Sequence, residues 1–268
     1  MTLTSQQYAA LADDVYEKPR ETGIDSRPVD IAGVIYKRLE YVDSSSGYQG
    51  IIYQRIDTNE IIVAHRGTET ERELKQDGVY TDGGMVAARH NNQAVEAIEL
   101  TKHALVYAQK LGKDGEALDV TVTGHSLGGD LAQVTAHHFG LKGETFNAYG
   151  AVSLDRRIPE GGTDVINHVM AGDAVSAASK HYGQVKLYAT PHEIAALQKA
   201  GYANDRSLFD DRNPAVAKPL SDSHKMHNFL PFDGDGKPDR SDTRPHAIAS
   251  PWQRSLQMRG ATLIHPRN

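Results

Sequence analysis

A serine at position 126 stands in a local pattern that could make it a nucleophile. The string GHSLG at 124–128 has the form Gly-x-Ser-x-Gly, with an alternating strand pattern before it and a helix pattern after it. A serine in so sharp a turn needs small neighbours where strand and helix nearly touch, and Gly124 and Gly128 meet that need. The same turn leaves the Leu127 N–H placed to donate to an oxyanion. The pattern predicts nucleophilic catalysis by Ser126, with a glycine-rich structural turn as the alternative.

The acid and base that would activate this serine are expected C-terminal to it. A serine hydroxyl is a poor nucleophile at neutral pH, so it needs a histidine to take its proton and a carboxylate to orient that histidine. After such a turn the expected chain order is serine, acid, histidine. Asp173 follows the apolar strand pattern DVINHVM, which places it at the sheet edge where Ser126 emerges. A plain turn aspartate is the alternative, whereas Asp164 precedes the strand and would face the opposite edge.

The base is less determined, because the chain contains 13 histidines. The candidates after Asp173 are His181, His192, His224, His227, His246 and His265. His224 stands before an apolar segment, where a loop could return to the reactive edge of the sheet. Spacing alone does not separate it from His227.

Strand and helix patterns alternate through most of the chain. They predict, in order, a helix at 5–16, strands at 33–41 and 47–56, a strand buried on both faces at 61–64, a helix at 95–112, a strand at 118–124, a helix at 130–140, and strands at 146–151 and 164–170. This order predicts an α/β fold. A mostly parallel sheet would carry helices on both faces and follow an N-terminal antiparallel hairpin.

A single domain with insertions is the simplest organisation. Residues 1–232 would form it, with irregular, cap-like insertions at about 69–93 and 188–220 that could wall a groove for an acyl chain. Residues 233–268 are rich in turn and charged residues and predict a loosely packed tail. The string DGDGKPD at 233–239 lacks two calcium-loop ligands, so we predict an acidic turn and no metal site.

Composition excludes several classes of protein. The 268 residues are 39% hydrophobic and 24% charged, as in ordinary globular domains. A formal charge of −6 without long runs of one sign argues against nucleic-acid binding. The absence of cysteine excludes disulfides, thiolate zinc sites and cysteine nucleophiles. The chain shows neither a classical signal peptide nor a long apolar run, so we expect neither general export nor a membrane span.

Three strings resemble the class 3 lipases, an α/β-hydrolase family that contains fungal triacylglycerol lipases and bacterial phospholipase A1-like proteins. They are GHSLGG at 124–129, VAHRGTE at 63–69 and the HxxxNF string at 224–229. The resemblance implies an α/β-hydrolase fold and favours His224 over His227 as the base. It also implies that Thr68 helps to form the oxyanion hole, although His65 stands where the family usually has an aromatic residue.

The resemblance implies a serine-dependent hydrolase of lipid esters that needs no cofactor. The string TDGGMVAARHNNQ looks most like bacterial lipases that include effectors delivered into competing cells. This favours a phospholipase A1-like enzyme in a bacterium, cytoplasmic or exported by a dedicated machine. Its partners would be a lipid or ester substrate, transiently a membrane surface, and an immunity protein.

Other activities fit the same three residues. They are a triacylglycerol lipase, a small-ester esterase, an acyltransferase and a thioesterase. A binding scaffold without activity is disfavoured by the intact serine, acid and histidine candidates. The family commonly has a lid after the oxyanion strand, here 69–84, but its mixed polarity fits a solvated loop equally well.

Overall fold

A nine-stranded sheet, with its strands side by side in chain order, organises the protein. The computed structural model describes residues 3–17, 23–67, 83–153, 156–199, 222–230 and 246–247. The strands are β1 (Gly23–Ile31), β2 (Val34–Asp43), β3 (Gln49–Arg55), β4 (Ile61–His65), β5 (Val120–His125), β6 (Lys142–Phe146), β7 (Gly161–Met170), β8 (Tyr182–Ala189) and β9 (His246–Ala247). Strands β4 to β8 run parallel, whereas β1 to β4 pair antiparallel and β9 runs antiparallel to β8.

The helices connect the parallel strands and cover the sheet. They are α1 (Ser5–Asp14), α2 (Gly83–Leu111), α3 (Leu127–Phe139), α4 (Ala174–Ala177) and α5 (Pro191–Lys199). Single turns of 3-10 helix lie at Ala151–Ser153 and Met226–Phe229. Helix α1 begins at a capping box, in which Thr4 and Gln7 each bond the other's backbone N–H through the side chain. In the described ranges no helix is long and apolar enough to cross a membrane.

Strand β4 lies between two hydrophobic cores. Ile61 and Val63 pack with α2 and α3 on one face, while Ile62 and Ala64 pack with α1 on the other. Because successive side chains of a strand point to opposite faces, a continuous apolar run is what such a strand requires. The predicted α/β architecture, with a mostly parallel sheet, helices on both faces and antiparallel strands at its start, is confirmed.

Several predicted elements differ from the observed ones. The predicted N-terminal hairpin is part of a larger antiparallel unit, because an additional strand, β1, pairs with β2. Strand β1 was not predicted. Strand β1 contains Pro28 and lies at the edge of the sheet, where a residue without an N–H is tolerated. Strand β6 is KGETF rather than FNAYGA, because pairing with β5 and β7 overrides a weak local strand pattern.

The predicted insertions are partly regular structure. Helix α2 begins at Gly83, so residues 83–93 are helical rather than irregular. The segment 188–220, predicted to be irregular, starts inside β8 and continues into α5. In the predicted tail, His246 and Ala247 pair with the end of β8. Residues 69–82, 200–220 and the remainder of 233–268 lie outside the described residues.

His65, at the end of β4, is fully buried between the turn that precedes β3 and helix α3. Its Nδ1 lies 2.8 Å from the Tyr48 hydroxyl on one side, and its Nε2 lies 3.3 Å from the Thr135 hydroxyl on the other. Burial lowers the His65 pKa from 6.5 to about 3. The imidazole is therefore neutral in the folded protein above a pH of about 3.

We expect this histidine to make the fold sensitive to acid. Above pH 6.5 the folded and unfolded states are both neutral at His65, but below it only the unfolded state takes up the proton. As the pH is lowered from 6.5 to about 3, His65 should therefore lower the free energy of unfolding by about 1.4 kcal/mol per pH unit. In denaturant titrations across this range, His65→Gln should show a shallower pH slope by that amount. An unchanged slope would contradict the assignment, whatever the variant's stability at neutral pH.

Candidate active site

Ser126 occupies a strained turn between β5 and α3. Its backbone has φ +56 and ψ −126, a region that residues other than glycine rarely adopt. A Cβ atom built on Gly124 would collide with the Gly128 carbonyl, and one built on Gly128 would collide with the His65 carbonyl. Glycine is therefore required on both sides of the serine. The turn is held by a hydrogen bond of 3.1 Å from the Ser126 N–H to the Phe146 carbonyl.

The structure brings Ser126, His224 and Asp173 into one hydrogen-bonded row. The Ser126 Oγ lies 3.0 Å from His224 Nε2, and His224 Nδ1 lies 2.9 Å from Asp173 Oδ1. All three residues are buried. His227, the alternative base, lies outside this row and bonds Asp222 at 3.0 Å nearer the surface.

The row fixes the position of each proton. Burial alone would raise the Asp173 pKa, but the charge and hydrogen bond of His224, together with a bond from Ser176, bring it below its ordinary value. The acid is therefore an acceptor only, and His224 must donate from Nδ1. A neutral imidazole that carries its proton on Nδ1 has a lone pair on Nε2, which accepts the Ser126 O–H.

The acid is anchored by the structure that follows it. Asp173 caps α4, since its two carboxylate oxygens accept from the N–H groups of Val175 and Ser176 at 3.2 and 3.1 Å. The buried carboxylate of Glu193 holds the preceding residue through the Gly172 N–H at 3.1 Å. The carboxylate thus reaches His224 from a backbone fixed on both sides.

One predicted oxyanion donor, Leu127, directly follows the serine. Leu127 is the first residue of α3, so its N–H has no carbonyl partner within the helix. Beside it, a Cβ built at Gly67 would lie 3.3 Å from that of Ser126, so the end of β4 approaches the serine. The second predicted donor, Thr68, and residues 69–82 of the predicted lid lie outside the described residues.

Three neighbours of the row were missed in the sequence. His125 Nε2 lies 2.7 Å from the His224 carbonyl, and its Nδ1 lies 3.1 Å from the Tyr16 hydroxyl. Asn147 lies 2.7 Å from the Ser223 carbonyl. The strand-edge rule that located Asp173 would have found Asn147 had β6 been placed correctly, because Asn147 is the first residue after that strand. No sequence pattern singled out Tyr16, which follows α1.

In the part of the chain that the structure describes, no group of three or more histidine or acidic side chains could hold a metal ion. The DGDGKPD string lies outside that part.

Comparisons with known proteins identify relatives. The Tle-like phospholipase domain family matches residues 7–218, a range that includes Ser126 and Asp173 and ends before His224. No curated protein matches the chain.

Partial structural matches occur among solved structures. A triacylglycerol lipase from Penicillium expansum is 18% identical over 69% of this chain and 77% of its own, with a TM-score of 0.40. A mono- and diacylglycerol lipase from Aspergillus oryzae is 14% identical over 64% and 70%, with a TM-score of 0.42. The Lip2 lipase from Yarrowia lipolytica is 14% identical over 69% and 77%, with a TM-score of 0.44.

Proposed function

Because the chain belongs to the Tle-like phospholipase domain family and is a lipid-hydrolysing enzyme, we propose that it cleaves a phospholipid acyl ester by a serine mechanism. The observation that carries the proposal is the row of hydrogen bonds from Ser126 through His224 to Asp173. In this proposal Ser126 is the nucleophile, His224 the general base and Asp173 the orienting acid, which is the order that ester cleavage requires.

In the first half of the reaction the serine is acylated. The Ser126 Oγ attacks the ester carbonyl carbon while His224 Nε2 takes the hydroxyl proton. Asp173 stabilises the imidazolium, and the Leu127 N–H, with Thr68 as the proposed second donor, binds the oxyanion. When the tetrahedral intermediate collapses, His224 returns the proton to the leaving alkoxide, so the alcohol part of the lipid departs and an acyl-enzyme remains.

In the second half, water releases the fatty acid. His224 takes a proton from a water molecule whose oxygen attacks the acyl carbon, and a second oxyanion forms in the same position. Its collapse breaks the bond to Ser126, and His224 gives the proton back to the serine oxygen. One ester and one water become one alcohol and one fatty acid, and the enzyme is restored.

We propose a phospholipid of a bacterial membrane as the substrate, cleaved at its first acyl position. The family's phospholipase description and the resemblance of residues 81–93 to bacterial lipases support this choice. The enzyme would touch the membrane surface transiently and act as an effector against competing bacteria. A producing cell would then need an immunity protein and a dedicated export route.

The test compares lipid classes with the same protein preparation. Phosphatidylglycerol and phosphatidylethanolamine vesicles labelled in the first acyl chain should release labelled fatty acid and leave lysophospholipid, and Ser126→Ala should release neither. Faster cleavage of triacylglycerol or short esters, with intact phospholipid, would assign a lipase or esterase instead. Transfer of the acyl group to a supplied alcohol or thiol in preference to water would assign an acyltransferase.

The effector role is tested by the same chemistry in cells. Expression directed to the periplasm of a host bacterium should stop growth and raise lysophospholipid in lipid extracts. The Ser126→Ala form should do neither. Lipid extracts that match those of the inactive form would exclude a membrane substrate while leaving the hydrolase mechanism intact.

A further inference from the structure

The loop that carries the proposed base is held by its own backbone carbonyls. The Ser223 carbonyl accepts from Asn147 Nδ2 at 2.7 Å, and the next carbonyl, that of His224, accepts from His125 Nε2 at 2.7 Å. Both donors are buried side chains on strands or strand ends of the central sheet. Two consecutive peptide groups of a loop are thus fixed to a rigid framework.

Asn147 uses both ends of its side-chain amide. While Nδ2 donates to the Ser223 carbonyl, Oδ1 accepts from the Met170 N–H at 2.9 Å. Met170 is the last residue of β7, three residues before Asp173. The Asn147 N–H also donates to the His168 carbonyl at 2.8 Å. One fully buried side chain therefore connects the strand that leads to the acid with the loop that carries the base.

His125 bonds the second carbonyl, that of His224, and this bond fixes the tautomer of the His125 imidazole. Because a carbonyl can only accept, Nε2 carries the proton and Nδ1 accepts from the Tyr16 hydroxyl at 3.1 Å. Burial, with the nearby His224 charge, lowers the His125 pKa to about 3, so the ring stays neutral. Its ring centre lies 4.7 Å from that of His224. The ring thus supports the base without sharing its proton.

We propose that Asn147, assisted by His125, is a positioning residue that sets the distances from His224 to Asp173 and to Ser126. The inference rests on the proposed serine mechanism and adds to it which residues align the base. Proton transfer depends steeply on geometry, and a misplacement of about 1 Å costs on the order of 10²-fold in rate. Neither side chain belongs to the row itself, so the loss should fall on kcat rather than on substrate binding.

The variant that isolates this role is Asn147→Gly. Asn147 has φ +43, which glycine adopts without strain, so the change removes the side-chain bonds and leaves the turn possible. On a soluble p-nitrophenyl ester, kcat should fall about 10²-fold with KM unchanged. The far-downfield proton resonance of the His224 Nδ1–H bonded to Asp173 should be lost or shifted.

Asn167 provides the matched control. It is also fully buried, donates to the carbonyls of Tyr182 and Gln184 in β8 at 2.8 and 3.4 Å, and accepts from the Thr145 hydroxyl in β6 at 2.7 Å, so these bonds hold it within the sheet. Asn167→Ala should lower thermal stability much as Asn147→Gly does while keeping kcat and the downfield resonance. Equal effects of the two variants on kcat, or a change in KM alone, would overturn the inference.

If Asn147→Gly does not fold, a second pair of variants at His125 tests the same positioning role. His125→Gln keeps an amide donor near the position of Nε2, whereas His125→Leu removes it. The glutamine variant should keep more of kcat, and equal losses would overturn the positioning role. Retained ester hydrolysis in Ser126→Ala and His224→Ala would instead overturn the proposed mechanism, which these positioning variants leave untouched.

Discussion

Replacing Ser126 with alanine should lower kcat/KM for a p-nitrophenyl ester by about 10³-fold or more. The change removes one oxygen atom, and with it the nucleophile, while the alanine methyl group fits where the serine Cβ already lies. The backbone at φ +56 is kept in position by the Phe146 carbonyl and by the glycines at 124 and 128. The variant should therefore fold like the wild type. Initial rates at ester concentrations below KM give kcat/KM, and circular dichroism checks that the variant is folded.

A matched serine change tests whether the loss is specific to the site. Ser44 lies in the turn between β2 and β3, where its hydroxyl bonds Glu96 at 2.9 Å. Ser44→Ala makes the same chemical change away from the hydrogen-bonded row and should keep wild-type rates. If Ser126→Ala were as active as Ser44→Ala, the assignment of the nucleophile would have to be abandoned.

Replacing His224 with alanine should be nearly as damaging, with a loss of about 10³-fold. Without the imidazole the Ser126 hydroxyl has no group to take its proton, and the leaving alcohol has none to supply one. The Asp173 carboxylate is then left buried without its main partner, which should also lower the thermal stability. The kinetic assay is the one used for Ser126, with unfolding followed by circular dichroism.

His227→Ala is the control that the chain itself provides. His227 lies on the same short loop, but it pairs with Asp222 nearer the surface, and the Asp222 carboxylate also pairs with Lys225 at 2.7 Å. Its removal should leave kcat/KM close to that of the wild type. The reverse ranking of the two histidine variants would move the base to His227, and full activity in both would exclude histidine catalysis from this loop.

Local sequence patterns were enough to predict the turn at Ser126, the placement of Asp173 and the fold class. The turn at Ser126 is encoded by steric requirements that act within a few residues, so glycines at 124 and 128 could be interpreted directly. The position of Asp173 followed from one apolar strand and the rule that parallel strands end at a common edge. The continuous apolar run at 61–64 indicated a strand buried on both faces. The fold class, the resemblance to lipases and the prediction of an enzyme were confirmed on this basis.

Elements with weak local patterns were decided by their neighbours. Strand β1 contains a proline and β6 contains polar residues, yet both are strands because adjacent strands satisfy their backbone groups. Helix α2 extends back to Gly83, through a segment whose mixed polarity resembles that of a loop. Periodicity reports which face of an element is buried, but it cannot report which element will lie beside it.

Spacing left His224 and His227 open and the resemblance favoured His224, but only the tertiary structure shows which of the two rings faces Ser126. The two residues are three positions apart in one short loop, so spacing alone does not distinguish the ring that turns inward. Their orientation is set by Asn147 and His125, which bond successive carbonyls of that loop from distant parts of the chain. Such contacts join residues separated by 76 and 99 positions, and they exist only once the sheet has formed. The sequence by itself thus predicted Ser126 as the nucleophile and the edge of the sheet at which it would act. The alignment of the proposed base depends instead on long-range hydrogen bonds that a linear pattern does not contain.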